Sequence, residues 1–235
     1  MPPLCVQAVF RDCFVRWGLP ARLRVDNGSP WGSSGDLPPD LSLWLWGLGL
    51  DVHWNRPSRP QENGVVERSQ GTAKNWAEPS ACTSVDELQQ ALDRMDRIQR
   101  ERYPFEGELS RLQAWPALSH SGRPYTRRWE RRAWNFGRVL DRLSAYAVTR
   151  RVDKNGRITF YNRSRYVGTI HCGRTVYVML DPDAIEWVLA DQEGHQVRRL
   201  AAKELTKSNI QNLTVARHAP GTRQKRRAAK LSCPN

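Results

Sequence analysis

The stretch ARLRVDNGSPW, Ala21–Trp31, runs from a short strand-like segment into residues that turn a chain. The Asn-Gly pair and the serine and proline after it break regular structure, so the predicted strand ends at Asp26. A carboxylate at the carboxyl end of a strand lies at the edge where α/β folds place their sites. Asp followed by Asn-Gly is also a common turn. Both interpretations of Asp26, turn residue and site residue, stay open at this point.

The segments around this strand predict an α/β fold. Upstream, one apolar stripe at helical spacing predicts a helix that ends at Gly18 and Pro20: Val6, Val9, Phe10, Cys13, Phe14 and Trp17. Downstream, Asp40 is placed to cap a helix through LSLWLWGLG, and LDVHW predicts a second strand. The polar loop NRPSRPQEN then leads into a helix from about Gly64 to Trp76. Helix, strand, helix, strand, helix is an α/β order.

The second half of the chain has a different character. Ser84 and Glu87 form a capping-box pattern before a long helix that ends ahead of Pro104. Residues 104–146 are mixed and include a basic cluster, Arg127, Arg128, Arg131 and Arg132, which is typical of a connector. From Ala147, short β-rich runs separated by the turns DKNG and DQEG predict a small antiparallel barrel. After Thr214 the chain is basic without any acidic residue, which predicts a disordered tail.

Charge and composition indicate the partner. The 235 residues carry a formal net charge of +13, and a balance of that sign and size favours a polyanion such as DNA. The chain has no apolar run long enough to span a membrane and no secretion signal, so we expect a soluble, cytoplasmic protein without a membrane partner. The five scattered cysteines have no zinc or disulfide spacing and are expected to be free thiols.

Two carboxylates are candidates for chemistry. Asp26 ends the first strand, and Glu67 lies one turn into the helix that follows the proline-rich loop. If the fold brings them together, their hard oxygens suit magnesium, and bound magnesium promotes phosphodiester chemistry. Lys74 lies two turns beyond Glu67 on about the same face, where its ammonium would reach a DNA phosphate. The alternative is that Glu67 and Lys74 are ordinary solvated charges. A glycosidase pair of carboxylates is a further alternative, but it leaves the positive charge unexplained.

The two motifs VDNGSPW and WNRPSRPQENGVVERSQGTAK together resemble the second half of the catalytic core of DDE transposases from insertion sequences, relatives of retroviral integrases. In that family a strand ending in Asp-Asn-Gly carries the second catalytic aspartate, and the helix after an Arg-Pro and Pro-Gln loop carries the catalytic glutamate. The resemblance implies that Asp26 and Glu67 are catalytic and magnesium-binding residues. Glu62 lies before that helix, at a position that the family does not use as a ligand.

The resemblance also implies a domain organisation. It covers roughly residues 5–103 as a partial RNase H-like core, and more loosely Val148–Leu205 as an SH3-like β-barrel of the kind that binds DNA. We therefore expect a truncated core over residues 1–103, a helical connector over 104–146, a barrel over 147–213 and a disordered basic tail over 214–235. Lys74 and four residues of the tail are the expected DNA contacts, the latter being Arg223, Lys225, Arg226 and Arg227.

The family's first catalytic aspartate lies on a strand upstream of the first helix, where this chain has only Met1–Leu4. We therefore expect these residues to be the C-terminal part of a transposase, acting in DNA integration and transposition but inactive alone. The alternative is a non-catalytic DNA-binding protein that pairs with itself or modulates intact transposase subunits.

Overall fold

A computed structural model describes residues 2–32 and 35–216, and over these residues the chain mixes helices with several sheets. The helices are α1 (Pro3–Trp17), α2 (Asp40–Gly47), α3 (Gly64–Ala77), α4 (Val85–Glu101), α5 (Arg111–Ala114), α6 (Arg127–Ala133), α7 (Phe136–Ser144) and α8 (Lys207–Gln211). The strands are β1 (Arg22–Val25), β2 (Asp51–Trp54), β3 (Pro104–Glu106), β4 (Leu109–Ser110), β5 (Ala147–Arg151), β6 (Arg157–Phe160), β7 (Arg163–Tyr166), β8 (Thr175–Asp181), β9 (Glu186–Ala190) and β10 (Gln196–Ala201). The expected mixed α/β class is confirmed.

The described chain divides into two compact units. The first combines the described parts of Met1–Arg11, Ala21–Trp54 and Arg127–Asn235, and the second combines Asp12–Pro20 with Asn55–Thr126. Each unit is made of segments that are distant in sequence. The predicted boundaries at residues 103, 146 and 213 stay predictions.

Helix α2 lies at the centre of the first unit. Every residue from Leu41 to Gly47 is buried, which is expected of a helix that is apolar all round. It packs against β2, α7 and α8. The indole of Trp134 covers Gly47 so closely that a Cβ at this glycine would lie 2.0 Å from the ring. Only glycine lets the chain around Trp134 pack on α2 at this distance.

The parallel pair β1 and β2 follows the order expected from the sequence, with Leu23 opposite Val52 and Val25 opposite Trp54. Helix α1 ends at Trp17 as predicted, but the face that it buries is rotated relative to the predicted apolar stripe. Phe14 is buried, whereas Val9 is 53 % exposed and Gln7 is buried in its place. Asp40 does not cap α2: its carboxylate accepts hydrogen bonds from the N–H groups of Val215, at 2.9 Å, and Ala216, at 3.5 Å.

The β-rich part of the first unit is antiparallel, as expected. Its main sheet has the order β10, β9, β8, β5, and β6 pairs separately with β7 in a hairpin. Among the described residues these strands form an open sheet and a hairpin, and no strand pairing closes them into a barrel. Gly156 and Gly194 take positive φ in the two predicted turns. After β7 the chain does not continue as a strand, and Thr169–His171 form a 3₁₀ turn.

The second unit contains a helical hairpin of α3 and α4, followed by β3, β4 and α5. Ser84 caps α4 as predicted, because its hydroxyl accepts the N–H of Glu87 at 3.1 Å. The glutamate does not return the bond to Ser84. Its carboxylate accepts the backbone N–H of Thr83, at 2.7 Å, and the hydroxyl of the same residue, at 2.8 Å.

The state of the cysteines differs from the expectation that all five are free thiols. Cys13, Cys82 and Cys172 are free thiols, but Cys5 is disulfide-bonded, so the expectation of five free thiols was wrong.

The segment expected to be a disordered tail begins at residue 214, yet Val215 is fully buried. The remainder of that segment, residues 217–235, lies outside the described residues. Within the described ranges, no helix combines the length and the apolar character that a membrane crossing requires.

Candidate functional site

The loop after β1 holds Asp26 in a turn. The Oδ1 atom of Asp26 accepts the N–H of Gly28 at 3.2 Å, and the Gly28 carbonyl accepts the N–H of Trp31 at 2.8 Å. The indole Nε1 of Trp54, the last residue of β2, donates to the Trp31 carbonyl at 2.9 Å. The ring of Phe10 meets that of Trp31 edge-on, with centroids 5.7 Å apart. The loop is therefore tied both to the neighbouring strand and to α1.

Asp26 has the position that both interpretations require. It follows β1 directly, at the carboxyl end of a parallel strand pair. Its side chain makes a turn hydrogen bond, and the residue is exposed. Gly28 lies close against the carboxylate, since a Cβ at this position would be 3.3 Å from Oδ2 of Asp26. The turn thus orients the carboxylate and leaves it accessible to solvent.

Glu67 lies in the first turn of α3, as predicted, and it is exposed. Lys74 is exposed in the last turn, where a cation interacts favourably with the helix dipole. Glu62 lies in the 3₁₀ turn before α3. Its carboxylate accepts the backbone N–H of Arg56 at 2.9 Å, so it organises the loop that leads into the helix.

The predicted site residues belong to different parts of the chain. Asp26 is in the first compact unit, whereas Glu67 and Lys74 are in the second. The pairing of the two carboxylates therefore stays a prediction. The expected DNA contacts Arg223, Lys225, Arg226 and Arg227 lie outside the described residues.

The donor chemistry of Asp26 and Glu67 suits magnesium. Both offer carboxylate oxygens, which are the hard ligands that this ion prefers. Neither forms an ion pair with another residue of the described ranges. A metal ion would therefore not have to displace an arginine or lysine from either group.

Three other side chains of kinds that bind metal ions lie close together, and they were not predicted from the sequence. They are Asp191, Glu193 and His195, whose ligand atoms lie within 4.8 Å of one another. The hairpin between β9 and β10 accounts for their proximity. Oδ1 of Asp191 accepts the backbone N–H of Glu193, at 3.1 Å, and of His195, at 2.8 Å. The carboxylate shapes the turn, so we assign the cluster to hairpin structure.

Arg127 and Arg131 belong to the segment that was expected to be a basic connector. In the structure they line a pocket together with Arg11 and the buried Glu130. Their spacing of four residues was the available signal, because it puts both guanidinium groups on one side of a helix.

Comparison with known families gives no assignment: no family model matches the chain. The resemblance to DDE transposases therefore depends on the two sequence motifs that carry Asp26 and Glu67.

Proposed function

We propose that this chain is the C-terminal part of an insertion-sequence transposase that acts on DNA. In this proposal the α/β segment is a partial RNase H-like core and the antiparallel segment is an SH3-like DNA-binding domain. The observation that carries the proposal is the paired motif, with an aspartate directly after a parallel strand and a glutamate in the first turn of a later helix. The formal charge of +13 supports DNA as the partner. The proposed location is the cytoplasm, because the chain would encounter this DNA there.

The proposed roles follow from the chemistry of each side chain. Asp26 and Glu67 would hold magnesium, which when bound activates an attacking hydroxyl and stabilises the leaving oxygen of a phosphodiester. The turn at Gly28 orients the Asp26 carboxylate. Lys74 would hold a DNA phosphate two turns beyond Glu67.

The family that this chain resembles uses three catalytic carboxylates. The two motifs of this chain supply two of them, Asp26 and Glu67. We therefore propose that strand transfer needs a carboxylate supplied from outside the 235 residues. Without it, magnesium loses a ligand and the alignment for phosphoryl transfer.

Metal binding tests the assignment of Asp26 and Glu67. Titration of the protein with Mn²⁺, followed by electron paramagnetic resonance, is expected to show a site that Asp26→Asn and Glu67→Gln each weaken roughly tenfold or more. Glu62→Gln is the matched control, because Glu62 is already engaged by the backbone of Arg56. If the control variant weakened Mn²⁺ binding as much as Glu67→Gln, the pairing of Asp26 with Glu67 would be wrong.

The second candidate function is non-catalytic: a DNA-binding protein that modulates intact transposase subunits. The excess of positive charge favours it independently of any metal site. Strand transfer by an intact transposase of this family is expected to fall as the chain is added. Asp26→Asn should inhibit equally, because this role needs no metal ligand. Unchanged strand transfer over the whole titration would contradict the modulator role.

A further inference from the structure

Four aromatic side chains of the second compact unit are left about half exposed. They belong to the end of α3 and to the segment after α4, and they are between 44 % and 49 % exposed: Trp76, Tyr103, Phe105 and Trp115. Leu109 and Leu118 of the same segment are 49 % and 45 % exposed. We call these six residues the aromatic patch. Contiguous exposed apolar surface marks interaction sites, whereas single exposed apolar residues need no such explanation.

The rings form two pairs that follow one another along the chain. Trp76 meets Tyr103 edge-on, with ring centroids 5.8 Å apart, and the centroids of Phe105 and Trp115 are 4.9 Å apart. Only one residue separates Tyr103 from Phe105, so the second pair begins where the first ends. Each ring therefore has an aromatic neighbour in its own chain and still exposes nearly half of its surface.

The segment that carries the patch is held in place by hydrogen bonds. Ser110 and Gln113 form a reciprocal capping box at the start of α5, with bonds of 3.3 Å and 2.8 Å. The guanidinium of Arg111 lies 5.0 Å from the ring centroid of Phe105, and its Nη1 donates to the Gln99 carbonyl in α4 at 2.9 Å. A surface fixed in this way loses little conformational entropy when a partner binds.

The charge around the patch argues against a DNA backbone as the occupant. Residues 96–118 carry four arginines and four acidic residues, so this segment is formally neutral in a chain of net charge +13: Arg97, Arg100, Arg102, Arg111, Asp96, Glu101, Glu106 and Glu108. A surface that binds phosphates needs an excess of positive charge. A protein surface that carries both signs is a better match, because each charge can face its opposite.

A second copy of this chain provides such a surface. In a dimer with two-fold symmetry the same patch occurs on both subunits, so an arginine of one copy can face a glutamate of the other. The neutral segment also avoids the repulsion that two chains of charge +13 would otherwise meet.

The area of the patch fits a dimer as well. Four aromatic side chains that are a little under half exposed offer roughly 300–450 Å² of apolar surface. A standard interface buries about 800 Å² on each partner, of which about 57 % is apolar. The rings therefore supply most of the apolar area that one partner needs, and Leu109 and Leu118 add to it.

We propose that the aromatic patch is the interface of a homodimer, in which the rings of two copies pack together around a two-fold axis. Buried aromatic residues at the centre of an interface carry much of its binding energy. The inference does not use Asp26, Glu67 or DNA, so it stands or falls independently of the proposed function.

Sedimentation equilibrium of the full chain without DNA, over a range of protein concentrations, measures the dimer dissociation constant. Trp115→Ser with Leu118→Ser alters the patch, and Val85→Ser with Ile170→Ser is a control at exposed apolar positions elsewhere. The patch variant should raise the dissociation constant about thirtyfold or more, and the control should stay within about twofold of the wild type. A wild type that stays monomeric, or equal effects in both variants, would overturn the proposal.

A second measurement uses the wild type alone and so does not depend on how the variants fold. Hydroxyl-radical footprinting compares protein concentrations below and above the dissociation constant. Oxidation of Trp76, Tyr103 and Trp115 should fall about twofold or more in the dimer, because the rings become buried, while oxidation of Ile170 stays unchanged. A dimer in which the three rings remain as reactive as in the monomer would place the interface elsewhere and overturn the proposal.

Single-stranded DNA is the competing occupant, since unpaired bases stack on exposed aromatic rings. The same footprint is recorded on the monomer with a short oligothymidine. Protection by the oligothymidine but not by self-association would assign the patch to bases and overturn the dimer. Protection at high protein concentration alone supports the dimer. If the wild type bound no DNA of any kind, the proposed function would fail, and the footprint would still decide the interface.

Discussion

Two buried glutamates are organised alike. Glu130 accepts hydrogen bonds from Arg11 and the indole of Trp44, and Glu204 accepts them from Arg165 and the indole of Trp187. Glu204 is 3 % exposed. Burial lowers the pKa of Arg165, and the charge of Glu204 opposes that effect. Each carboxylate therefore compensates an arginine that would otherwise lose hydration without gaining a partner.

Removing either carboxylate charge should destabilise the first unit, by different amounts. Glu204→Gln is expected to cost about 3–5 kcal/mol, because Arg165 is left as a buried, unpaired charge. Glu130→Gln should cost less, about 1–3 kcal/mol, since the Arg11 side chain is 21 % exposed and keeps part of its hydration. Urea unfolding measures both, with the exposed Glu193→Gln as a control expected within about 0.5 kcal/mol of the wild type. A Glu204→Gln variant as stable as the control would contradict this account.

At the scale of the element, α4 illustrates a helix that depends on its own ends. None of its residues is fully buried, so the hydrogen bond from Glu87 N–H to Ser84 carries a larger share of its stability than a cap does in a buried helix. Ser84→Ala should destabilise the helix by about 1 kcal/mol. Amide hydrogen exchange across α4 measures the effect, and Ser80→Ala, in the preceding 3₁₀ turn, is the control. Unchanged protection in Ser84→Ala would assign the stability of α4 to something other than its cap.

The same cap predicts a dependence on pH. The backbone N–H of Thr83, and then its hydroxyl, lower the pKa of Glu87 from its ordinary value. A lowered carboxyl pKa gives stabilisation that is present above the unfolded-state pKa of about 4.3 and is lost as the pH falls through the folded-state value. Protection of α4 should therefore decrease on acidification in the wild type and less so in Glu87→Gln. Carbon-detected titration of Glu87 would show a pKa at or above the ordinary value if this account were wrong.

At the scale of the whole molecule, the positive charge predicts a steep salt dependence of DNA binding. Replacing Arg223, Lys225, Arg226 and Arg227 by glutamine should reduce the salt slope by up to about 3.6, if each contacts one phosphate. The control variant removes the same charge elsewhere, by placing glutamine at four arginines in or next to α4 that have acidic neighbours in the sequence: Arg94, Arg97, Arg100 and Arg102. Anisotropy titrations between about 50 and 200 mM salt measure the slopes. Equal reductions would show that net charge, and not these four residues, determines binding.

The sequence by itself determined the kind and order of most elements around the predicted site. Strand β1 before Asp26, helix α3 beginning at Gly64 and the cap at Ser84 were all predictable, because hydrophobic spacing, turn residues and caps act over a few neighbouring positions. The candidate residues Asp26, Glu67 and Lys74 came from the same local patterns.

Only the tertiary structure decided which distant groups meet. Asp40 looked like the cap of its own helix, but its carboxylate binds the backbone at Val215, 175 positions away. Glu130 lies in the segment expected to be a basic connector, but it is buried and accepts hydrogen bonds from Arg11 and Trp44. The strand order β10, β9, β8, β5 of the open sheet was likewise not predictable from the sequence. The physical reason is that a buried polar group must find a partner wherever the packed chain supplies one, and local spacing contains no record of that choice.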